Sequence, residues 1–164
     1  MLINILGFNL SWFGLVYWGN DFIPFALILL VAHLFFQSNN AKELILILLI
    51  SAIGICVDSL LQQLTVFIFP EYSHIPFWLM MLWASFAATI CHSLRLLASS
   101  KVLQFFLGGL ISPLSYIAGH KFMVVEFGYS LPITYLILAL IWGGLFILFY
   151  YVKSKVFKGD INYA

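Results

Sequence analysis

Three groups of residues in this chain have the types and spacing that chemistry needs, and all three lie in strongly apolar sequence. The first is Asp58, in the run Gly54-Ile-Cys-Val-Asp58. An aspartate at membrane depth costs on the order of 2.5–3.5 kcal/mol unless it is paired, hydrated or protonated. Such a carboxylate either serves a proton, a cation or a ligand, or fixes helix register through structural hydrogen bonds. On a helix it shares one face with Ser51, Gly54, Gln62 and Thr65. The second group is His92 with Arg95, neighbours at i, i+3 on a helical surface. A histidine titrates near neutrality and can relay a proton or, beside an arginine, bind an anion. The plainer alternative is that Arg95 snorkels to the cytoplasmic phosphates while His92 donates to a nearby carbonyl. The third group, Gly108, Ser112, Ser115, Tyr116 and Gly119, lines one side of a helix that contains Pro113. That proline removes one helical hydrogen bond and frees the Gly109 carbonyl, which is tolerated at membrane depth where backbone is buried in protein or lines a wet cavity.

These groups need elements to position them, and hydropathy supplies the elements. Of the 164 residues, 64% are hydrophobic and only 8% charged, with a mean hydropathy of +1.10. Soluble domains carry about 25% charged residues, so the chain reads as an all-α polytopic membrane bundle forming a single domain over 1–164. Six transmembrane helices are predicted, at about 2–19, 22–37, 44–68, 77–98, 102–120 and 131–152, each near the ~20 residues needed to span. The apolar N-terminus reads as a retained first helix rather than a signal peptide, since it lacks a basic lead and a small-residue cleavage site. Lys42, Arg95, Lys101, Lys153, Lys155 and Lys158 fall on one side of such a topology and only Lys121 on the other, which puts both termini in the cytoplasm.

Counted along these helices, Asp58 lies roughly 21 Å from the cytoplasmic end at 1.5 Å per residue, level with Ser85 and with Ser112 to Tyr116. Trp78, Ser85, Thr89 and His92 share the polar face of the fourth helix, with Trp83 and Phe86 directed elsewhere. The candidate pocket is therefore Asp58, Gln62, Ser85, Thr89, His92, Arg95, Ser112 and Tyr116, walled by the third, fourth and fifth helices. Without a cation at its depth, Asp58 is expected to rest as a neutral hydrogen-bond donor within reach of Gln62 and of the Ser85 or Tyr116 hydroxyl. His33, near a helix end, His74, in an outer loop, and His120 with Lys121 are weaker candidates.

Other chemistries find no support. A metal site would need His33, His92 and Asp58 to converge, against their depths, so neither a metal nor any other cofactor is expected. Cys56 and Cys91 read as buried free thiols. Histidine boxes, HExxH, GxSG, Walker and GxGxxG motifs are all missing from the sequence. A formal net charge of +1 gives no basis for nucleic-acid binding.

The chain resembles a bacterial inner-membrane family known as domain of unknown function 2878, over most of its length. The resemblance is carried by Asn4 with Trp12-Phe13, by Gly54-x-x-x-Asp58, by Pro76-x-Trp78-x-x-x-x-Trp83-x-x-Phe86 running into His92-Ser93-Leu94-Arg95, and by Gly109-x-x-x-Pro113-x-x-Tyr116-x-x-Gly119. Where members more often have a small residue, commonly glycine, just before the proline, this chain has Ser112. The resemblance implies a small multi-spanning protein of the bacterial cytoplasmic membrane and names no substrate and no catalytic residue. The expected function is binding or transport of a small or amphiphilic molecule centred on Asp58, with membrane lipids as neighbours and a homodimer or partner protein needed for transport. The alternative is a lipid-modifying enzyme or accessory subunit centred on His92 and Arg95 at the cytoplasmic leaflet.

Overall fold

In the computed structural model, which describes residues 1–38 and 41–159, the helical stretch Leu2–Phe36 is 35 residues long. Straight, it would reach about 52 Å. Instead α1 (Leu2–Trp18) ends in a turn of 3-10 helix at Gly19–Phe22, and α2 (Ile23–Phe36) returns beside it. Gly19 takes φ 58° at the turn, a conformation open to glycine at little cost. Pro24 follows in the first turn of α2, where its fixed φ and missing N–H suit a helix start. The reversal brings Asn4 within 3.4 Å of His33.

α3 (Ala41–Gln63) stops short of the end predicted from hydropathy. Thr65 takes φ 56° and turns the chain into β1 (Phe67–Ile68), which pairs antiparallel with β2 (Glu126–Phe127), Phe67 opposite Phe127. Two-residue strands inside an apolar run leave no period for sequence reading to detect. α4 (Phe77–Ala87) has 11 residues rather than the predicted 22 or so. Beyond it the chain winds through turns to Leu94 and a 3-10 helix at Arg95–Ser99.

α5 (Lys101–Lys121) begins at Ser100, whose hydroxyl accepts from the Leu103 N–H at 3.3 Å. It runs antiparallel to α6 (Leu131–Val156). Their approach depends on glycine: a Cβ on Gly109 would stand 2.7 Å from the Ala139 carbonyl oxygen, and one on Gly108 would stand 2.8 Å from that of Trp142. Of the small-residue face expected on this helix, Gly108 and Gly119 are buried, while Ser112, Ser115 and Tyr116 are half-buried.

The result is an all-α bundle apart from the short ribbon. Leu2–Phe36, Ala41–Gln63, Lys101–Lys121 and Leu131–Val156 are each long and apolar enough to cross a membrane, and α4 is a shorter apolar helix. Leu27, Ile28, Leu48, Leu110, Leu136 and Leu140 are exposed on its outside, as a surface meeting hydrocarbon requires. One end gathers the start of α1, the end of α2, the start of α3, the segment 88–100, the start of α5 and the end of α6. That end carries Lys42, Arg95, Lys101, Lys153, Lys155 and Lys158.

Candidate functional site

Two polar centres lie inside the bundle. The first is Asp58, 1% exposed on α3. The Trp83 indole N–H donates to its Oδ2 at 2.7 Å, and the Tyr116 hydroxyl straddles Oδ1 and Oδ2 at 3.1 and 3.2 Å. Trp83 reaches it because position 54 is glycine; a Cβ there would overlap the indole ring. The indole also stacks on Trp142 at 5.0 Å and 8°, and the Tyr116 ring stacks on Phe67 of β1 at 4.8 Å and 9°. The ribbon thus holds Tyr116 against the carboxyl group. The expected Tyr116 contact is present. Trp83, expected to point away, supplies the other bond in place of Gln62 and Ser85. The carboxyl oxygens accept from both donors, and aromatic rings fill the space where a polar pocket was expected.

The second centre lies at the basic end and is built by the break in α4. The Thr89 hydroxyl bonds back to the Phe86 carbonyl at 2.6 Å, a local bond that competes with helix continuation. Asn4 of α1, 5% exposed, takes over the loosened backbone. Its Nδ2 donates to the Ala88 carbonyl at 3.1 Å, and its Oδ1 accepts from the Ser93 N–H at 3.3 Å and the Ser93 hydroxyl at 2.7 Å. The Tyr150 hydroxyl donates to the Leu94 carbonyl at 2.5 Å, and the Gln104 amide donates to that of Leu97 at 2.8 Å. Freed carbonyls are thereby satisfied from α1, α5 and α6.

The rerouted backbone aims His92 at Glu43 on the first turn of α3. His92 Nε2 lies 2.7 Å from Glu43 Oε1, and His33 Nε2 of α2 lies 3.0 Å from the same oxygen. The two imidazoles meet edge to face with centroids 4.7 Å apart. Glu43 is 1% exposed; Ser38 stands beside its carboxylate, and Oε2 is buried with no hydrogen-bond partner among the described residues. These three groups offer ligand atoms within 4.8 Å of one another. The sequence pointed instead to His33, His92 and Asp58 as the set that would have to converge, and so to no metal site. Glu43 was assigned to the connection before α3, and the α1–α2 reversal that carries His33 inward was not foreseen in this role. Asn4 also went unrecognised as a site residue; the usable signal was a polar residue near the start of an otherwise apolar helix.

The remaining candidates are dispersed. Ser85 bonds to the Met81 carbonyl at 3.2 Å and Gln62 to that of Tyr72 at 3.3 Å. Ser112 gives its carbonyl to the Ser115 hydroxyl at 2.7 Å. Arg95 is exposed on the 3-10 helix, so its predicted adjacency to His92 on a continuous helix is replaced by a shared position at the basic end. Near it stands Lys153 of α6, 5% exposed, within electrostatic reach of Arg95 and Glu43. Its ammonium lies 6.0 Å from the Tyr150 ring centroid and forms no salt bridge among the described residues.

No curated protein and no solved structure matches the chain. A family model described as protein of unknown function, DUF2878, matches residues 1–148, which include Asn4, His33, Glu43, Asp58, His92 and Arg95. The chain belongs to that family.

Proposed function

We propose that this is a six-crossing protein of the bacterial cytoplasmic membrane, with both termini in the cytoplasm, that binds an amphiphile by its anionic headgroup at the basic end of the bundle. The orientation follows from the cluster of lysines and arginine there. A Ser73→Cys variant should react with an impermeant thiol reagent from outside the cell. Labelling only from the cytoplasmic side would overturn the orientation. Matching labels at Asn40 and Asp160 would report the cytoplasmic side, although both lie outside the described residues.

The observation that carries the functional reading is Lys153, a buried lysine within electrostatic reach of Arg95 and Glu43, whose ammonium lies beside the Tyr150 ring and makes no salt bridge among the described residues. A buried charge at a membrane boundary is costly until an opposite charge joins it, and basic pockets on the cytoplasmic side suit lipid headgroups. His92 lies close enough in the chain to serve as acid or base in an enzyme or accessory subunit working on such a headgroup. Asp58 supports a transport centre less well, because its oxygens are bonded beneath stacked rings.

The test is lipid retention by native mass spectrometry after purification and exchange into mixed micelles of phosphatidylglycerol and phosphatidylcholine. The wild type is expected to retain the anionic lipid preferentially, and a Lys153→Met/Arg95→Gln variant to lose that preference by about tenfold, the equivalent of ~1.4 kcal/mol. Equal retention of both lipids by the wild type would overturn the proposal.

A further inference from the structure

Beyond headgroup binding, and without resting on it, we propose that His33, His92 and Glu43 form a binding site for a divalent ion of the zinc class. Two imidazole nitrogens and a carboxylate form a ligand set that suits zinc, with a fourth position left for water or substrate. Each ligand comes from a different element: α2, the broken end of α4 and the first turn of α3. A tetrahedral ion at about 2.0–2.2 Å from each ligand spaces them ~3.3 Å apart. The two nitrogens are now 2.7 and 3.0 Å from Glu43 Oε1, a few tenths of an ångström short of that spacing, and all three ligand atoms lie within 4.8 Å of one another.

The second observation is the orphaned oxygen. Glu43 Oε2 is buried with no hydrogen-bond partner at ordinary distance among the described residues, Ser38 standing beside the carboxylate. Such oxygens are rare because each forfeits its hydration without replacement. Both Nε2 atoms crowd onto Oε1, whereas an ion between the three side chains would give either carboxylate oxygen a positive partner. Support from outside the ligand set is also present. Asn4 is tied to Ala88 and Ser93 on the same segment as His92, so the backbone that presents His92 is held from α1. The Asn4 amide also faces His33 Nδ1 at 3.4 Å.

The experiment uses the full chain, purified in detergent with a tag that contains no histidine, and titrated with Zn2+ and with Co2+ as a spectroscopic probe. The expected result is about one ion per chain, with the visible ligand-field bands of tetrahedral Co2+ that Zn2+ then bleaches. His33→Ala, His92→Ala and Glu43→Gln should each weaken binding by more than the ~10–100-fold typical of supporting residues, while His74→Ala, at the opposite end, retains it. If a ligand variant fails to fold, the wild-type Co2+ spectrum alone decides. Stoichiometry far below one, or only the spectrum of hydrated Co2+, would overturn the site and leave a hydrogen-bonded knot. The outcomes separate cleanly from the lipid test. Zinc without lipid preference sinks the headgroup proposal alone, and lipid preference without zinc sinks the metal site alone.

Discussion

Gly54→Leu is expected to destabilise the bundle strongly. The Trp83 indole occupies the space that any side chain at position 54 would need, and the backbone of α3 cannot retreat without moving its whole buried face. Overpacking alone costs about 1–3 kcal/mol. Displacing the indole also strips Asp58 of its 2.7 Å bond and leaves a buried carboxyl short of a partner, at about 1–3 kcal/mol more. A loss of ~4 kcal/mol in a domain of this size lowers the melting midpoint by about 10 °C. Fluorescence-detected size-exclusion chromatography after heating would read it. A midpoint within a degree or two of wild type would show that α3 and α4 are not packed through this contact. Pairing the change with Trp83→Ala should recover part of the loss, because the two substitutions act on one volume and are not additive.

The second large effect is at Asp58, where the choice of substitution separates packing from polarity. Asp58→Leu leaves the Trp83 N–H and the Tyr116 hydroxyl buried without their acceptor, costing about 2–5 kcal/mol across the two donors. Asp58→Asn keeps an oxygen for Trp83, and the Tyr116 hydroxyl can rotate to suit the amide, so a loss under ~1 kcal/mol is expected. Thermal midpoints of both variants, with Tyr116→Phe to complete a double-mutant cycle, would measure this. Equal losses from Asp58→Asn and Asp58→Leu would mean that the charge, rather than the hydrogen bonds, holds the knot, and would restore Asp58 as the leading ligand-binding carboxylate.

Much of the architecture was legible in hydropathy, because lipid-facing and buried positions alike must be apolar in such a bundle. Predicted helices over 44–68 and 102–120 correspond to α3 and α5, and Tyr116 was one of the two hydroxyls expected at Asp58, the other, Ser85, and the Gln62 amide bonding elsewhere. Three features were not legible. The polar stripe of the fourth helix implies a single buried face, but α4 buries Trp78, Leu79, Trp83, Ser85 and Ala87 around more than half its circumference, so periodicity wrongly directs Trp83 away from α3 and Gly54. The break after Ala87 depends on Asn4, 84 residues distant from Ala88 along the chain, and a tertiary hydrogen bond of that reach leaves no local pattern. Glu43 sits at a helix start among polar loop residues, where a carboxylate reads as solvated or as a favourable charge on the helix dipole. Only the fold shows it to be buried between two histidines.

The central claim, that function resides at the basic end and not around Asp58, is tested most directly by a structure determined in a bilayer of mixed phosphatidylglycerol and phosphatidylethanolamine. Ordered headgroup density against Arg95 and Lys153 is predicted, with Trp83 and Tyr116 still closed on Asp58. Ligand density between α3 and α5 at the depth of Asp58, with the basic end bare of ordered lipid, would contradict it.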